Sequence, residues 1–278
     1  MNISVIMPTV GGEHIYQCLD SMKYPPNDVV IVVDMIARGA ANLQPIEEFE
    51  ATLKNKYSFI TKVVRNENFH DYQNLNQNFN IGFKNAANKY FFITHDDVIY
   101  QDFDYFGKLS KVLDILESDG CIIHGKKVWG TTMPVFQSWS ECPEGKIFPD
   151  KDWQNQYVLS RGPSPIAAAI NKNIFNGEAN LLKDGGFDVQ EGLWYDVIIA
   201  REMFKHDWWV MYLPFPPVRH LMSQGFKISD GAGIKLCPRI LKHAENHERV
   251  YPSEFETEFQ KHLHVPFEIP LPDKYKII

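Results

Sequence analysis

Nowhere in the 278-residue chain do 18 apolar residues run together, so no helix able to cross a bilayer is expected. The opening segment lacks the basic-then-apolar pattern of a secretory leader, and Met1 runs directly into a strand-like stretch. Cysteine is scarce. The four residues, Cys18, Cys121, Cys142 and Cys237, form no Cys-x-x-Cys pair and no dense framework, which fits a reducing compartment. A cytoplasmic protein, touching at most the inner face of a membrane, is the expectation. Positive charge is not in excess either: 28 Lys and Arg against 35 Asp and Glu leave a net charge of −7, so nucleic acid is not an expected partner. Three phosphate- and nucleophile-binding patterns are missing as well. No Gly-x-Gly-x-x-Gly follows the first strand, and neither Gly-x-x-x-x-Gly-Lys-Ser/Thr nor Gly-x-Ser-x-Gly occurs. Dinucleotide-binding Rossmann proteins, P-loop enzymes and α/β-hydrolases are disfavoured accordingly.

What is present is an alternation of buried strands and amphipathic helices. Residues 3–7, 29–33, 61–64 and 90–94 are short apolar runs, each bounded by turn residues. Between them, residues 13–22, 45–54 and 73–87 carry helical spacing, and 35–44 reads as a polar loop. Strand and helix alternating in this way predict an α/β domain with a mainly parallel sheet covered on both faces. Ligands collect at the carboxyl ends of such strands. Asp34 ends the second strand there, and His95-Asp96-Asp97 ends the fourth.

The second half is less regular. A helix over 103–116, strands at 121–123, 166–170 and 208–213, and a helix over 192–204 are expected. Residues 126–163 show no periodicity and read as a long loop, in which Trp129, Trp139 and Trp153 could shape an acceptor site. Residues 226–278 read as an extension that packs on the domain, joins two copies or rests on a membrane surface.

Four constellations could carry chemistry. Adjacent carboxylates at Asp96 and Asp97 repel one another, and a divalent cation bridging a diphosphate would relieve that repulsion. The same pair could instead turn the chain or cap a helix. Asp196 heads an apolar helix, where the dipole favours a carboxylate that could take a proton from a hydroxyl; ordinary helix capping fits it equally. His220 follows a Pro-Phe-Pro-Pro turn, and His243 and His247 stand at i and i+4 in His-Ala-Glu-Asn-His. Local pattern alone leaves both histidine sites open between ligand and surface residue.

Taken in order, the segments resemble a family 2 glycosyltransferase. Ile3 to Thr9 is similar to the family's first strand and its nucleotide-facing turn, and Val29 to Asp34 to the second strand. Gly82-Phe83-Lys84-Asn85-Ala86-Ala87-Asn88-Lys89-Tyr90 is similar to the Gly-Ile-x-x-Ala-x-Gly-Glu-Tyr that leads into the acidic motif. Where the family has Asp-x-Asp, this chain has His95 and Asp97, with Asp96 between, as in a His-x-Asp branch. Gly185-Gly186-Phe187-Asp188 and Tyr195-Asp196-Val197 resemble the acceptor-side motifs, and Val218-Arg219-His220 with Ser223 and Gly225 resembles the closing strand, whose histidine can complete the metal site.

The resemblance spans residues 1–225 and implies the GT-A fold, with a nucleotide-binding half (1–100) and an acceptor half (101–225). It further implies an inverting transfer from a nucleotide-diphosphate sugar, a UDP-sugar by first expectation, onto a glycan or other hydroxyl acceptor in polysaccharide biosynthesis. Its implied site has Pro8, Thr9, Asp34 and Asp96 on the nucleotide, His95, Asp97 and His220 on Mn²⁺ or Mg²⁺, and Asp196 as catalytic base. The alternatives are a silent nucleotide- or glycan-binding protein on the same fold, a metal-dependent hydrolase, and a nucleotidyltransferase. The last would need basic residues in the first loop, and none occurs before Lys23.

Overall fold

Val5 pairs with Val29 on one side and Phe92 on the other, in the third strand from one edge of a ten-stranded sheet. The computed structural model describes residues 1–39, 43–68, 74–102, 104–139, 142–148, 156–160, 166–173, 199, 202–203, 206–216, 218–221 and 269–276; for 74, 135–139 and 142–148 the backbone alone is described. Strands β1 (Ile3–Thr9), β2 (Val29–Asp34), β3 (Ile60–Asn66) and β4 (Tyr90–Ile93) run parallel, as the alternating pattern predicts. Every residue of β1, β2 and β4 is buried, which is why these segments read as continuous apolar runs rather than alternating ones. Each fully buried Val, Ile or Phe contributes about 1.5–3 kcal/mol, so these strands outweigh any local helix propensity in stabilising the fold.

Helices cover both faces. Ile3, Val5, Met7, Ile31 and Phe92 pack with residues of α1 (His14–Ser21), α3 (Ile46–Lys56) and α5 (Tyr105–Ser118) in one core. On the opposite face lies α4 (Asn74–Asn85), with Phe83 stacked on Phe91 at 4.7 Å. Gly82 is what lets α4 come so close: a Cβ there would stand 2.2 Å from the Ile6 side chain. A short α2 (Met35–Gly39) replaces the expected loop after β2. Its cause is local, because Asp34 Oδ1 accepts a hydrogen bond from the Ala37 N–H at 2.9 Å and so caps the first turn.

Beyond β4 the sheet continues through β11 (Ala168–Asn171), β7 (Lys126–Thr132), β12 (Trp208–Tyr212), β10 (Val158–Ser160) and β14 (Ile269–Pro270), with β6 (Ile122–Ile123) attached to β7. A second sheet has the order β5 (Val98–Ile99), β13 (Val218–His220), β8 (Val135–Trp139), β9 (Cys142–Phe148). The expectation of a long loop over 126–163 is therefore wrong: β7, β8, β9 and β10 all fall in it. Strand β7 runs mid-sheet between β11 and β12 and is buried over residues 130–132, and the strands of this region divide between two sheets. Trp129 is thus a strand residue, with its ring edge against Trp208 at 5.8 Å. The side chain of Trp139 and all of Trp153 lie outside the described residues.

Of the expected helix over 192–204, Ile199, Glu202 and Met203 are described, and all three are helical and buried. Of residues 226–278, the described stretch packs on the domain. Strand β14 pairs with β10, Leu271 N–H donates to Tyr157 O at 2.8 Å, and Tyr275 Oη donates to Asp119 at 2.5 Å. The domain boundary at 225/226, and His243 and His247, lie outside the described residues. Among the described residues no helix is long and apolar enough to cross a membrane.

Candidate metal and nucleotide site

The strand order β3-β2-β1-β4 reverses direction at β1, which opens a crevice between the carboxyl ends of β1 and β4. Pro8 helps to open it. Ile6 O still accepts the Thr94 N–H at 3.3 Å, so the even-numbered residues of β1 face β4 with their polar backbone groups. Pro8 is the next in that series and has no N–H to offer, at the level where the chain after β4 turns away. The two strands therefore separate there, and Thr9 and the 95–97 segment meet across the gap.

Within that segment the neighbouring residues do different things. The Asp96 carboxylate takes hydrogen bonds on Oδ2 from the Thr9 hydroxyl and from His14 Nε2, the latter at 2.9 Å. Thr9 Oγ1 in turn accepts the Gly11 N–H at 2.8 Å, so the loop after β1 is tied to the acidic segment. Asp97 instead contacts His220, with Oδ1 at 3.0 Å from Nε2. Strand pairing accounts for this long-range meeting: β13 lies antiparallel to β5 with His220 opposite Val98, and Leu221 N–H donates to Asp97 O at 2.8 Å. His95 completes the group, its ring edge-on to that of His220 at 5.6 Å and near Phe79. One ligand-type atom from each of His95, Asp97 and His220 lies within 4.8 Å of the other two.

The protonation states suit a cation. Burial, then the neighbouring His220, holds the His95 pKa down at about 4, so its imidazole is neutral near pH 7, the form in which histidine ligates a metal. For His14 burial acts downward, but the hydrogen bond and charge of Asp96, with Asp97 behind, outweigh it and raise the pKa. Cys18 lies nearby with its thiol pushed far up by burial, which makes it an unreactive packing residue. His220 Nδ1 is buried and has no hydrogen-bond partner among the described residues. A histidine–carboxylate–histidine set of this span fits a divalent transition metal, and the buried Nδ1 is an atom whose desolvation a metal or bound ligand would offset.

On the nucleotide side, Asp34 is 6% exposed at the tip of β2 and spends one oxygen on capping α2. Beside it Arg38 is buried. Its Nη1 donates to Val10 O at 3.0 Å and more weakly to Gly11 O at 3.4 Å, Nη2 donates to Gln44 O, and its guanidinium lies 4.8 Å over Phe49. Gly11 has φ +84°, and a Cβ there would stand 2.1 Å from Nη1, so the loop is shaped around the arginine. The sequence shows no basic residue in this loop; the fold delivers Arg38 from α2, engaged with backbone carbonyls. Asp196 lies outside the described residues. Sequence reasoning missed His14, whose only signal was its place in the first turn of α1.

No protein-family model and no curated protein sequence matches the chain. Solved structures do. The chain resembles S. aureus TarS 1–349, with a TM-score of 0.57 at 14% identity over 94% of this chain and 73% of that one. The same fragment also matches in complex with UDP-GlcNAc. The mannosyltransferase PcManGT from Pyrobaculum calidifontis, in complex with GDP-Man and Mn²⁺, gives 0.51 at 14% identity over 88% and 70%. GalNAc-T7 with UDP, GalNAc and Mn²⁺ gives 0.58 at 14% identity over 96% of this chain and 52% of that one. The fold is GT-A. The GT-A fold expected from the resemblance therefore stands.

Proposed function

We propose that the chain is an inverting glycosyltransferase, a family 2 member with His95 in place of the first motif aspartate. It takes a sugar from a nucleotide diphosphate, a UDP-sugar by first expectation, and places it on an acceptor hydroxyl. The observation that carries this reading is the convergence of His95, Asp97 and His220 at the carboxyl end of β4 in a GT-A sheet. The Mn²⁺ and nucleotide-sugar complexes of the structurally similar mannosyltransferase, GalNAc-T7 and TarS support the donor class and the ion.

In this proposal His95, Asp97 and His220 hold the ion, and two imidazoles favour Mn²⁺ over the oxygen-preferring Mg²⁺. The bound ion supplies neutralisation of the charge that develops on the departing diphosphate. Pro8, Thr9, Asp34 and Asp96 hold the nucleotide. Asp196 receives the acceptor hydroxyl proton while the acceptor oxygen bonds to the anomeric carbon. The carbon–oxygen bond to the diphosphate breaks on the opposite face, and its electron pair leaves with the nucleotide.

Calorimetric titration of the full chain with UDP and GDP, with and without Mn²⁺, tests the donor site. Binding that requires Mn²⁺ and is lost in Asp97→Ala is expected. If neither nucleotide binds with Mn²⁺ present, the reading is wrong and a nucleotide-independent role replaces it. Asp196→Asn should abolish transfer and spare donor binding; a variant that keeps full transfer removes Asp196 from the base role.

A further inference from the structure

The tandem Asp96-Asp97 poses a problem that the metal reading does not solve by itself. Two adjacent carboxylates stand at the site, yet only Asp97 shares the ligand cluster with the two histidines. Asp96 is 7% exposed and engaged elsewhere: its Oδ2 accepts from both Thr9 and His14. His14 sits in the first turn of α1, itself 8% exposed, and comes from a part of the chain that contributes nothing to the cluster. Ile15, Cys18 and Leu19 anchor α1 in the core.

We propose that His14 is a positioning residue that sets metal preference by keeping Asp96 out of the ligand set. The inference rests on the reading that His95, Asp97 and His220 bind a divalent ion. With one carboxylate and two neutral imidazoles, a bound dication keeps a net positive charge toward a diphosphate, and its nitrogen-rich donors select Mn²⁺. Admitting Asp96 would cancel that charge and add hard oxygen donors, which suit Mg²⁺. Thr9 alone is a weaker restraint, because a neutral hydroxyl holds a carboxylate less firmly than an imidazole N–H that can carry charge.

The test is calorimetric titration of the full chain with Mn²⁺ alone and with Mg²⁺ alone, with the Mn²⁺ paramagnetic resonance spectrum as a second readout of the ligand set. In His14→Ala the Mn²⁺-over-Mg²⁺ affinity ratio is expected to fall by about tenfold, the scale on which groups that orient metal ligands act. His14→Asn, which retains an N–H donor, should restore much of the ratio. The double variant His14→Ala, Asp96→Asn should return it fully, since no second carboxylate remains to enter.

A purely structural role for His14 would weaken both ions by the same factor, and that result overturns the proposal. So does a double variant that keeps the altered ratio. Asp96→Asn alone, which alters the nucleotide side of the proposed site, is read only for its affinity for Mn²⁺ without nucleotide. A tenfold loss of Mn²⁺ affinity in that variant would make Asp96 a ligand and sink the proposal even if His14→Ala fails to fold. Wild-type protein that binds neither ion refutes the metal site itself, and with it the proposed donor chemistry.

Discussion

The same parallel strands carry a buried carboxylate group at each end, and the two are built differently. At the amino end, Asp28 is 6% exposed and saturated: it accepts from the hydroxyls of Ser4 and Thr61 and, at 2.9 Å, from the Ala87 N–H. Ser4 Oγ also accepts the Asn88 N–H at 3.0 Å, so one side chain fastens the starts of β1, β2 and β3 to the turn before β4. Every donor there is neutral. At the carboxyl end, Asp96 and Asp97 stand side by side among three histidines, and one buried imidazole nitrogen, His220 Nδ1, lacks a partner among the described residues. A carboxylate that holds a fold together is surrounded by fixed neutral donors. The Asp96-Asp97 pair is surrounded instead by imidazoles, groups that can give up a proton and ligate.

That contrast breaks or sharpens on substitution. The largest effect is expected from Asp97→Asn, which should abolish Mn²⁺ binding in calorimetry while leaving the melting temperature nearly unchanged. Asp28→Ala should do the reverse. Two hydroxyls and an N–H lose their acceptor in a buried place, which costs about 3 kcal/mol in denaturant unfolding, with Mn²⁺ affinity retained.

The acid limb of stability should also belong to Asp28. Burial acts to raise its pKa, but the hydrogen bonds from Ser4, Thr61 and Ala87 outweigh that and hold it below the ordinary 3.8. Its contribution is therefore complete above 3.8 and fades as pH falls through the lower folded value. Asp28→Asn should flatten the loss of stability below pH 4 relative to wild type; an unchanged acid limb assigns it to other groups. The smallest effect is expected for Thr9→Val, which removes one of two donors to Asp96 and should weaken nucleotide binding by about 1 kcal/mol, roughly fivefold in Kd.

Legibility in the sequence followed the range of the interactions. Strands β1, β2 and β4 are buried on both faces and announce themselves as apolar runs, so Asp34 and His95-Asp96-Asp97 could be placed at the ligand edge from local pattern. Strands β7 to β10 could not, because they divide between two sheets and carry no alternation that a window can detect. His220 stood out locally only as a histidine after a proline-rich turn, and its metal role came from the family resemblance; what brings it to Asp97 is the pairing of β13 with β5, a contact between distant parts of the chain. His14 had no such help. Its bond to Asp96 joins residues 82 apart, and a lone histidine at a helix start carries no local signal. The capping of α2 by Asp34 was hidden for another reason: the same residue that marks a ligand edge also starts a helix.

The most direct test is the anomalous scattering of manganese in crystals grown with Mn²⁺ and either UDP or GDP. A peak bounded by His95 nitrogen, an Asp97 oxygen and His220 nitrogen, with the nucleotide's diphosphate on its open side, is predicted. Manganese bound elsewhere, or a nucleotide bound with no ion among those three residues, would contradict the account.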